Sequence, residues 1–555
     1  MSHRQVLETL SGLLMGLFVA VLASTVVSTS LPRIISDLGG DQTAYTWVVT
    51  STLLATTVST PIWGKLADLF NRKLLVQLSL IIFVLGSGLA GLSQDTPTLI
   101  VFRVLQGLGA GGLISLVQVL ISDIISPRER GRYVGLLGAV IAVGTAGGPL
   151  LGGVLTDSVG WRWNFYVAVP FAVIALILIQ RTLKLPVVKR ARVSIDYLGA
   201  ILITAGVSLL LIWVSLAGNQ FEWGSVTSWS MAVGAVVLLL AAVFVELKVK
   251  EPILPMTLFK NRTFALVVAG SFSVGVALFA SSVFLSQYFQ LSRGATATQS
   301  GLLSLPQVVG SLVASTVIGI LISRSGKWKR WMVLGASLLT VALALMSTVR
   351  FDTDMVLVAI YIGVMGLGLG MVMQNLVLVV QNAVDVRQIG AASSAVAFFR
   401  SLGGTLGVSV LGAVLASRVS TIVGEGISSV KAPASELATL ASGTIPDVAN
   451  LSAPVRTLVE SAYGQGIGEI FLIAAPLAFI TLLCIIFLPK AELGTKTGIE
   501  QLADAQADAP LDVTAGDMPV RPTASIPVQT ARETADDTVS AAAASDREAT
   551  TRTTR

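Results

Sequence analysis

Apolar stretches of roughly twenty residues, parted by short polar gaps, recur from residue 10 to residue 490. A helix crossing a bilayer needs about 20 mostly apolar residues, and on that template the pattern predicts fourteen spans. Six run over 10–31, 45–63, 74–93, 98–122, 133–156 and 164–181. Two follow at 197–217 and 229–247, then six more at 263–290, 299–322, 331–349, 355–382, 391–416 and 466–488. The first is too long for a signal-peptide core and lacks a clear small-residue cleavage site, so it is expected to be retained. The fold class predicted is an all-α polytopic membrane protein.

Composition supports that class. Charged residues are 12% of the 555 and hydrophobic ones 54%, about half the charge that a soluble domain uses to coat its surface. Basic residues concentrate in alternate gaps: twenty Lys and Arg fall on one side, among them Lys65, Arg72, Lys73 and Lys327 to Arg330, against seven on the other. By the positive-inside effect the first side is cytoplasmic, and an even number of spans puts both termini there. The same distribution accounts for the net charge of +6 without nucleic acid, since no continuous basic face with interleaved aromatics is present. The one histidine, His3, and the one cysteine, Cys484, exclude a histidine triad, an HExxH zinc site, a disulfide and a Cys-based metal site. No enzyme activity, metal or cofactor is expected.

The chain repeats itself. Gly64-Lys-Leu66-Ala-Asp68-Leu-Phe-Asn71-Arg72-Lys73 after the second segment is echoed by Gly319-Ile-Leu321-Ile-Ser323-Arg-Ser-Gly326-Lys327 after the tenth. Asp123 with Arg130-Gly131 is echoed by Asp385 with Gln388-Ile-Gly390. Segments nine to fourteen thus read as a second copy of one to six, with seven and eight inserted. The expected organisation is a six-helix bundle in 1–185, two inserted helices with linkers in 186–255, and a second bundle in 256–490 with an external loop over 417–465. The tail 491–555 holds eleven acids and six bases with almost no aromatics, a composition that cannot bury a core and reads as disordered. Two six-helix halves around a midplane cavity are a secondary-transporter plan.

Three motifs carry mechanism. In the loop Gly64–Lys73, Gly64 permits close helix approach and Asp68 can cap a helix or pair with a base. With Arg72, it reads as a latch between the halves, against the plainer reading of a basic turn. Arg103 lies inside the fourth segment with Gln106 on the same helical face; a charge there is costly and marks function unless it snorkels to the surface. The fifth segment carries Gly144, Gly147, Gly148, Pro149, Gly152 and Gly153. Glycines at this density make a tight packing seam, and Pro149 can bend the helix. Ser24, Thr25, Gln287, Asn375 and Arg400 are candidate pathway residues, with interhelical hydrogen bonding as the alternative for the polar ones.

These stretches resemble the major facilitator superfamily and, within it, the fourteen-span drug:proton antiporters. Gly64–Lys73 is similar to the family's loop between spans two and three, Arg103-Val-Leu-Gln106-Gly107 to its RxxQG helix, and Gly144–Gly153 to its GxxxGPxxGG antiporter helix, which the family associates with export. Trp47–Thr50, Trp161–Phe165 with Pro170, Asp196–Gly199 and Phe399–Gly404 add to the likeness. The resemblance implies alternating access, protons as the coupling ion and an acid in the first span. Here that acid is replaced by Ala23, and no Asp or Glu lies near the centre of any predicted span.

The expectation is a monomeric exporter of amphipathic compounds in the cytoplasmic membrane, with export of an endogenous lipid or cell-envelope precursor as the alternative. A cavity holding Arg103 and Arg400 without a central acid disfavours small permanent cations and tolerates neutral or anionic amphiphiles. A receptor or scaffold has only the acidic tail in its favour.

Overall fold

The computed structural model describes residues 3–38, 42–125, 127–183, 196–218, 220–249, 252–295, 297–427, 433, 451–494 and 500, with some side chains inside the helices left undescribed. All belong to one compact unit, Met1–Ala505. Nearly all of the tail 491–555 lies outside the described residues, as do 428–432 and 434–450 of the external loop and the Pro149 side chain.

The described residues are almost wholly helical. In chain order the α-helices are α1 (His3–Asp37), α2 (Gln42–Leu69), α3 (Arg72–Gly91), α4 (Thr96–Ile124), α5 (Pro127–Ser158), α6 (Trp163–Tyr166), α7 (Ala168–Thr182) and α8 (Tyr197–Leu216). They continue as α9 (Val226–Glu246), α10 (Arg262–Gln287), α11 (Ala297–Leu303), α12 (Leu305–Ser325), α13 (Lys329–Met346), α14 (Met355–Ala383), α15 (Ile389–Ile427) and α16 (Ala453–Phe487). Many start where a polar side chain can occupy orphan amide donors. Asn71 Oδ1 accepts from the Lys73 N–H (2.9 Å), Asp95 Oδ1 from Thr98 (2.8 Å), Asn261 Oδ1 from Thr263 (2.9 Å) and Asp354 Oδ1 from Val356 (2.7 Å). At the other end of α12, Gly326 takes φ +68°, a left-handed value that glycine adopts without a Cβ penalty.

Among the described residues twelve helices are long and apolar enough to cross a membrane, with α6–α7 and α11–α12 each acting as one broken helix. Each of the fourteen predicted segments falls on a helix, but α2 and α5 are not among the twelve. Ser and Thr along α2 lower its hydropathy. Helix α15 runs on to Ile427 and α16 begins at Ala453, so both ends of the stretch expected to be a loop are helical. An Arg418–Glu469 ion pair (2.8 Å) and packing of Val455 and Val459 against Leu291 and Tyr463 hold these extensions.

Two large buried clusters form the interior. One joins α1, α2, α3, α4, α5 and α7 through residues such as Leu13, Phe83, Leu116 and Ile179. The other joins α10 and α12 to α16 through Phe264, Phe284, Met332, Met365 and Phe471. Helices α8 and α9 pack on each other, and a smaller cluster seats α8 (Ile203, Val207, Leu211) on Val58 of α2 and Phe398 and Leu402 of α15. Their outer faces leave the large apolar side chains of Ile201, Val233, Val236, Leu240 and Phe244 exposed.

Candidate functional site: the joint between the two helix groups

The two groups meet through α2 and α4 against α15 and through α5 against α12. The α2–α15 contact closes at the C-terminal end of α2, where the stretch Gly64–Lys73, expected to be a loop, is helical up to Leu69 and again from Arg72. There the Asp68 carboxylate sits over the start of α15 and accepts the backbone N–H groups of Gly390 (3.1 Å) and Ala391 (2.9 Å). The first amides of a helix lack partners within the helix and carry its positive dipole end, so a carboxylate placed there caps α15 from another helix. Burial pushes the Asp68 carboxyl up to about 7, while Arg72, the two amides and Lys65 pull it back. The chain can come this close only without side chains: a methyl on Gly64 would lie 1.9 Å from Ser394 Oγ, and one on Gly390 would lie 2.2 Å from Asp68 Oδ1.

Below that cap the joint is a ladder of neutral hydrogen bonds. Ser115 of α4 meets Ser394 hydroxyl to hydroxyl, Thr57 meets Ser401 (2.7 Å), Gln118 Nε2 donates to Gln374 Oε1 (3.2 Å), and Gln381 Nε2 donates to the Gln118 carbonyl (3.3 Å). Arg72 belongs to a neighbouring contact. Its Nη1 pairs with Asp123 Oδ2 at 2.6 Å and its Nε donates to the Ala67 carbonyl, which ties α3 to the end of α4. Gly64 and Asp68 are thus brought onto the joint, and Arg72 braces it from within one group. Sequence reasoning missed Ser115, Ser394 and the bare amides of Gly390 and Ala391; the run Gly390-Ala-Ala-Ser-Ser394 was the available signal.

Arg103 is buried in α4. Its Nη1 donates to Gln106 Oε1 (2.6 Å) and its Nε to the Val48 carbonyl of α2 (3.4 Å). Gln106 Nε2 donates to Ser87 Oγ (3.1 Å), which donates to the Phe165 carbonyl (2.9 Å). The guanidinium therefore sits in a chain of neutral acceptors linking α2, α3, α4 and α6. Arg400 is likewise buried, in α15, and neither arginine has a salt bridge among the described residues.

The other expected site residues divide. Thr25 Oγ1 donates to the Gly144 carbonyl (2.9 Å) in the α1–α5 seam, and Gly148 and Gly152 face Thr25 and Val26 so closely that methyls would meet Thr25 Oγ1 at 2.0 Å and the Val26 oxygen at 2.6 Å. Ser24 is exposed on α1. Asn375 is buried, donating to the Met371 carbonyl (2.6 Å), and its Oδ1 has no hydrogen-bond partner; Gln287 Oε1 is equally unpartnered. No group of three or more His, Cys, Asp or Glu able to hold a metal occurs among the described residues.

Comparison with known proteins gives this architecture a family. Residues 13–408 match the Major Facilitator Superfamily. An uncharacterized MFS-type transporter of Mycobacterium tuberculosis is 36% identical over 503 residues, covering 90% of this chain and 71% of that one. Multidrug resistance protein 3 of Bacillus subtilis is 30% identical over 499 residues, covering 89% and 97%. The crystal structure of the human organic anion transporter MFSD10 (TETRAN) shares the fold with a TM-score of 0.56 at 15% identity, over 85% of this chain and 99% of that one. The chain belongs to the Major Facilitator Superfamily and is a multi-pass membrane transporter.

Proposed function

We propose that this transporter is a fourteen-span drug:proton antiporter that exports amphipathic compounds across the cytoplasmic membrane by alternating access. In this reading the bundles 1–185 and 256–490 rock as bodies, 186–255 is the inserted pair, and both termini lie in the cytoplasm. The observation that carries it is the α2–α15 joint. It is closed by one carboxylate on two amides and a few hydroxyl and amide contacts, each of which water can replace when the joint opens. The relationship to a Bacillus subtilis multidrug resistance protein supports efflux, and the basic loops bordering the joint support its placement on the cytoplasmic side.

Gln287, Asn375, Ser24 and Arg400, with Arg103 and Gln106 behind them, supply the polar groups of the pathway in this reading, and the Thr25–Gly148 seam with Pro149 supplies the bend. Two buried arginines without carboxylate partners among the described residues favour neutral or anionic amphiphiles. The same pair of charges favours a second reading, export of an endogenous anionic lipid or cell-envelope precursor. Purified protein in liposomes with an imposed pH gradient, offered cationic, neutral and anionic amphiphiles, tests the proposal. Gradient-driven flux with preference for neutral or anionic compounds is expected. A permanently cationic dye as best substrate overturns the charge argument, and gradient-insensitive flux overturns antiport.

A further inference from the structure

Beside the joint lies a second acidic feature. Asp196, at the start of α8, and Glu246, at the end of α9, are 5% and 3% exposed. Each carboxylate satisfies one oxygen locally: Asp196 Oδ1 accepts the Gly199 N–H (2.8 Å) and Glu246 Oε2 accepts the Leu254 N–H (3.1 Å). The other oxygen of each, Asp196 Oδ2 and Glu246 Oε1, is buried with no hydrogen-bond partner. Both crowd the same face of Gly199, where a methyl would lie 2.2 Å from Oδ2 and 2.9 Å from Oε1. Neither carboxylate has an ion pair among the described residues, unlike the buried Asp123, which is held by Arg72.

Two buried carboxylates whose free oxygens both lie within 3 Å of one point repel each other when both are charged, and each orphan oxygen lacks a donor. One proton answers both needs, because a carboxylic acid donates where a carboxylate accepts. We propose that Asp196 and Glu246 form a proton-binding site in which a single proton is shared between Asp196 Oδ2 and Glu246 Oε1. This deepens the antiport reading and rests on it only for the proton's use in transport.

Its surroundings give the site a route to the joint. Besides that of Asp196, the field of Lys65, on α2, reaches Glu246, and it reaches Asp68 as well. Lys248, just past α9, is held over the Phe244 ring (4.0 Å), and α15 presents the apolar Phe398 and Leu402 to α8. The proton site and the cap on α15 are therefore electrostatic neighbours through one lysine, with α8 packed on both helices of the joint.

Infrared difference spectroscopy of the full-length protein on acidification tests the site without a substrate. Glu246→Gln and Asp196→Asn keep the side-chain shapes, and the asparagine still caps α8; thermal unfolding confirms that each is folded. The expected result is loss of the same one-proton carboxylic C=O amplitude in either variant and no further loss in the double variant. Unchanged amplitude in both, or additive losses of two independent acids, overturns the proposal. So does removal of the band by sodium or potassium at constant pH, which would make this a metal-cation site. Gly199→Ala, which drives a methyl between the two oxygens, provides a second perturbation and is expected to reduce the band. A separate liposome flux assay distinguishes the two failures: lost band with pH-independent transport sinks the antiport reading alone, and proton-coupled transport with an untouched band sinks the site alone.

Discussion

Two helix contacts in this protein are equally close and differently built. Between α1 and α5, bare glycine backbone lies against α1: Gly144, Gly148 and Gly152 pack on Val21, Thr25 and Val26, and the polar contacts among the described residues, Thr25 and Ser30 hydroxyls on the Gly144 and Gly152 carbonyls, are neutral. Between α2 and α15, glycines also bring the chains together, but the contact is closed by a carboxylate on bare amides and by paired hydroxyls. Dispersion between interlocked surfaces falls off within an ångström, so the first contact persists or fails as a whole. Polar contacts exchange with water at small net cost, so the second can open and re-form. On the proposed alternating-access reading, the difference gives stability to one seam and conformational change to the other.

Substitutions that enlarge the α1–α5 seam should give the largest effect. In Gly152→Leu the first added carbon already meets the Val26 oxygen at 2.6 Å and its Cα at 3.2 Å, and backbone atoms cannot rotate away. The expected cost is about 1–3 kcal/mol or more, read as a lowered unfolding temperature in detergent and a poor yield of folded protein. An unchanged unfolding temperature would show that α1 and α5 can separate freely.

Asp68→Asn is the matching test of the joint, and its effect should fall on function rather than folding. The amide oxygen still accepts one of the two α15 N–H groups, but the NH2 that replaces the second oxygen turns a donor on the other, and a buried N–H left without an acceptor costs about 1–3 kcal/mol. Spin labels placed on α2 and α15 should show the closed population reduced by roughly tenfold or more. Transport should fall with it while the unfolding temperature holds. An unaltered distance distribution would remove Asp68 from the joint.

How much of this could be read from sequence follows from the range of each interaction. All fourteen apolar segments coincide with helices because helix formation and apolar length are local properties. Even the polar helix starts, Asn71, Asp95 and Asp354 among them, lie beside the amides they cap. The stretch Gly64–Lys73 stood out in the sequence through its repeat, but the contact it makes did not. Asp68 acts on backbone amides more than three hundred residues away, and no side-chain pattern announces an unoccupied N–H. For Thr25 the sequence left pathway and interhelical roles open; its hydrogen bond to the Gly144 carbonyl is interhelical. The pairing of Asp196 with Glu246 was equally hidden, since each lies at the far end of its own helix in the sequence. Helices α8 and α9 bring those ends together.

A pH titration sharpens the same comparison with a smaller effect. Burial holds the docked Asp68 carboxyl at about 7, whereas an undocked, solvated aspartate stays near its ordinary value of 3.8. Between those values the docked state binds a proton that the undocked state does not, so closing the α2–α15 joint takes up a proton. Lowering the pH from about 7 toward 4 should therefore favour the closed joint, and raising it through 7 should loosen it. The described contacts of the α1–α5 seam, at Val21, Thr25 and Val26, involve no titratable side chain, so label distances across it should not move over the same range. In Asp68→Asn the part of the joint's response due to this carboxyl should vanish. A titration of the α2–α15 distance that is identical in wild type and variant would place the responding group elsewhere.

The smallest effect expected is that of Ser115→Ala. It deletes one hydroxyl from the ladder while Asp68 keeps its grip on Gly390 and Ala391. A neutral hydrogen bond contributes about 1 kcal/mol net, so the closed population should drop by several-fold, well short of the Asp68 variant. Ser394→Ala should do the same, and the double variant should do little more than either alone, because the two hydroxyls satisfy each other. Removing both also removes the cost of leaving one buried hydroxyl unpaired, which each single variant incurs. If the double variant instead loses the sum of the two, Ser115 and Ser394 act on separate partners, and the joint rests on the carboxylate cap with no ladder beneath it.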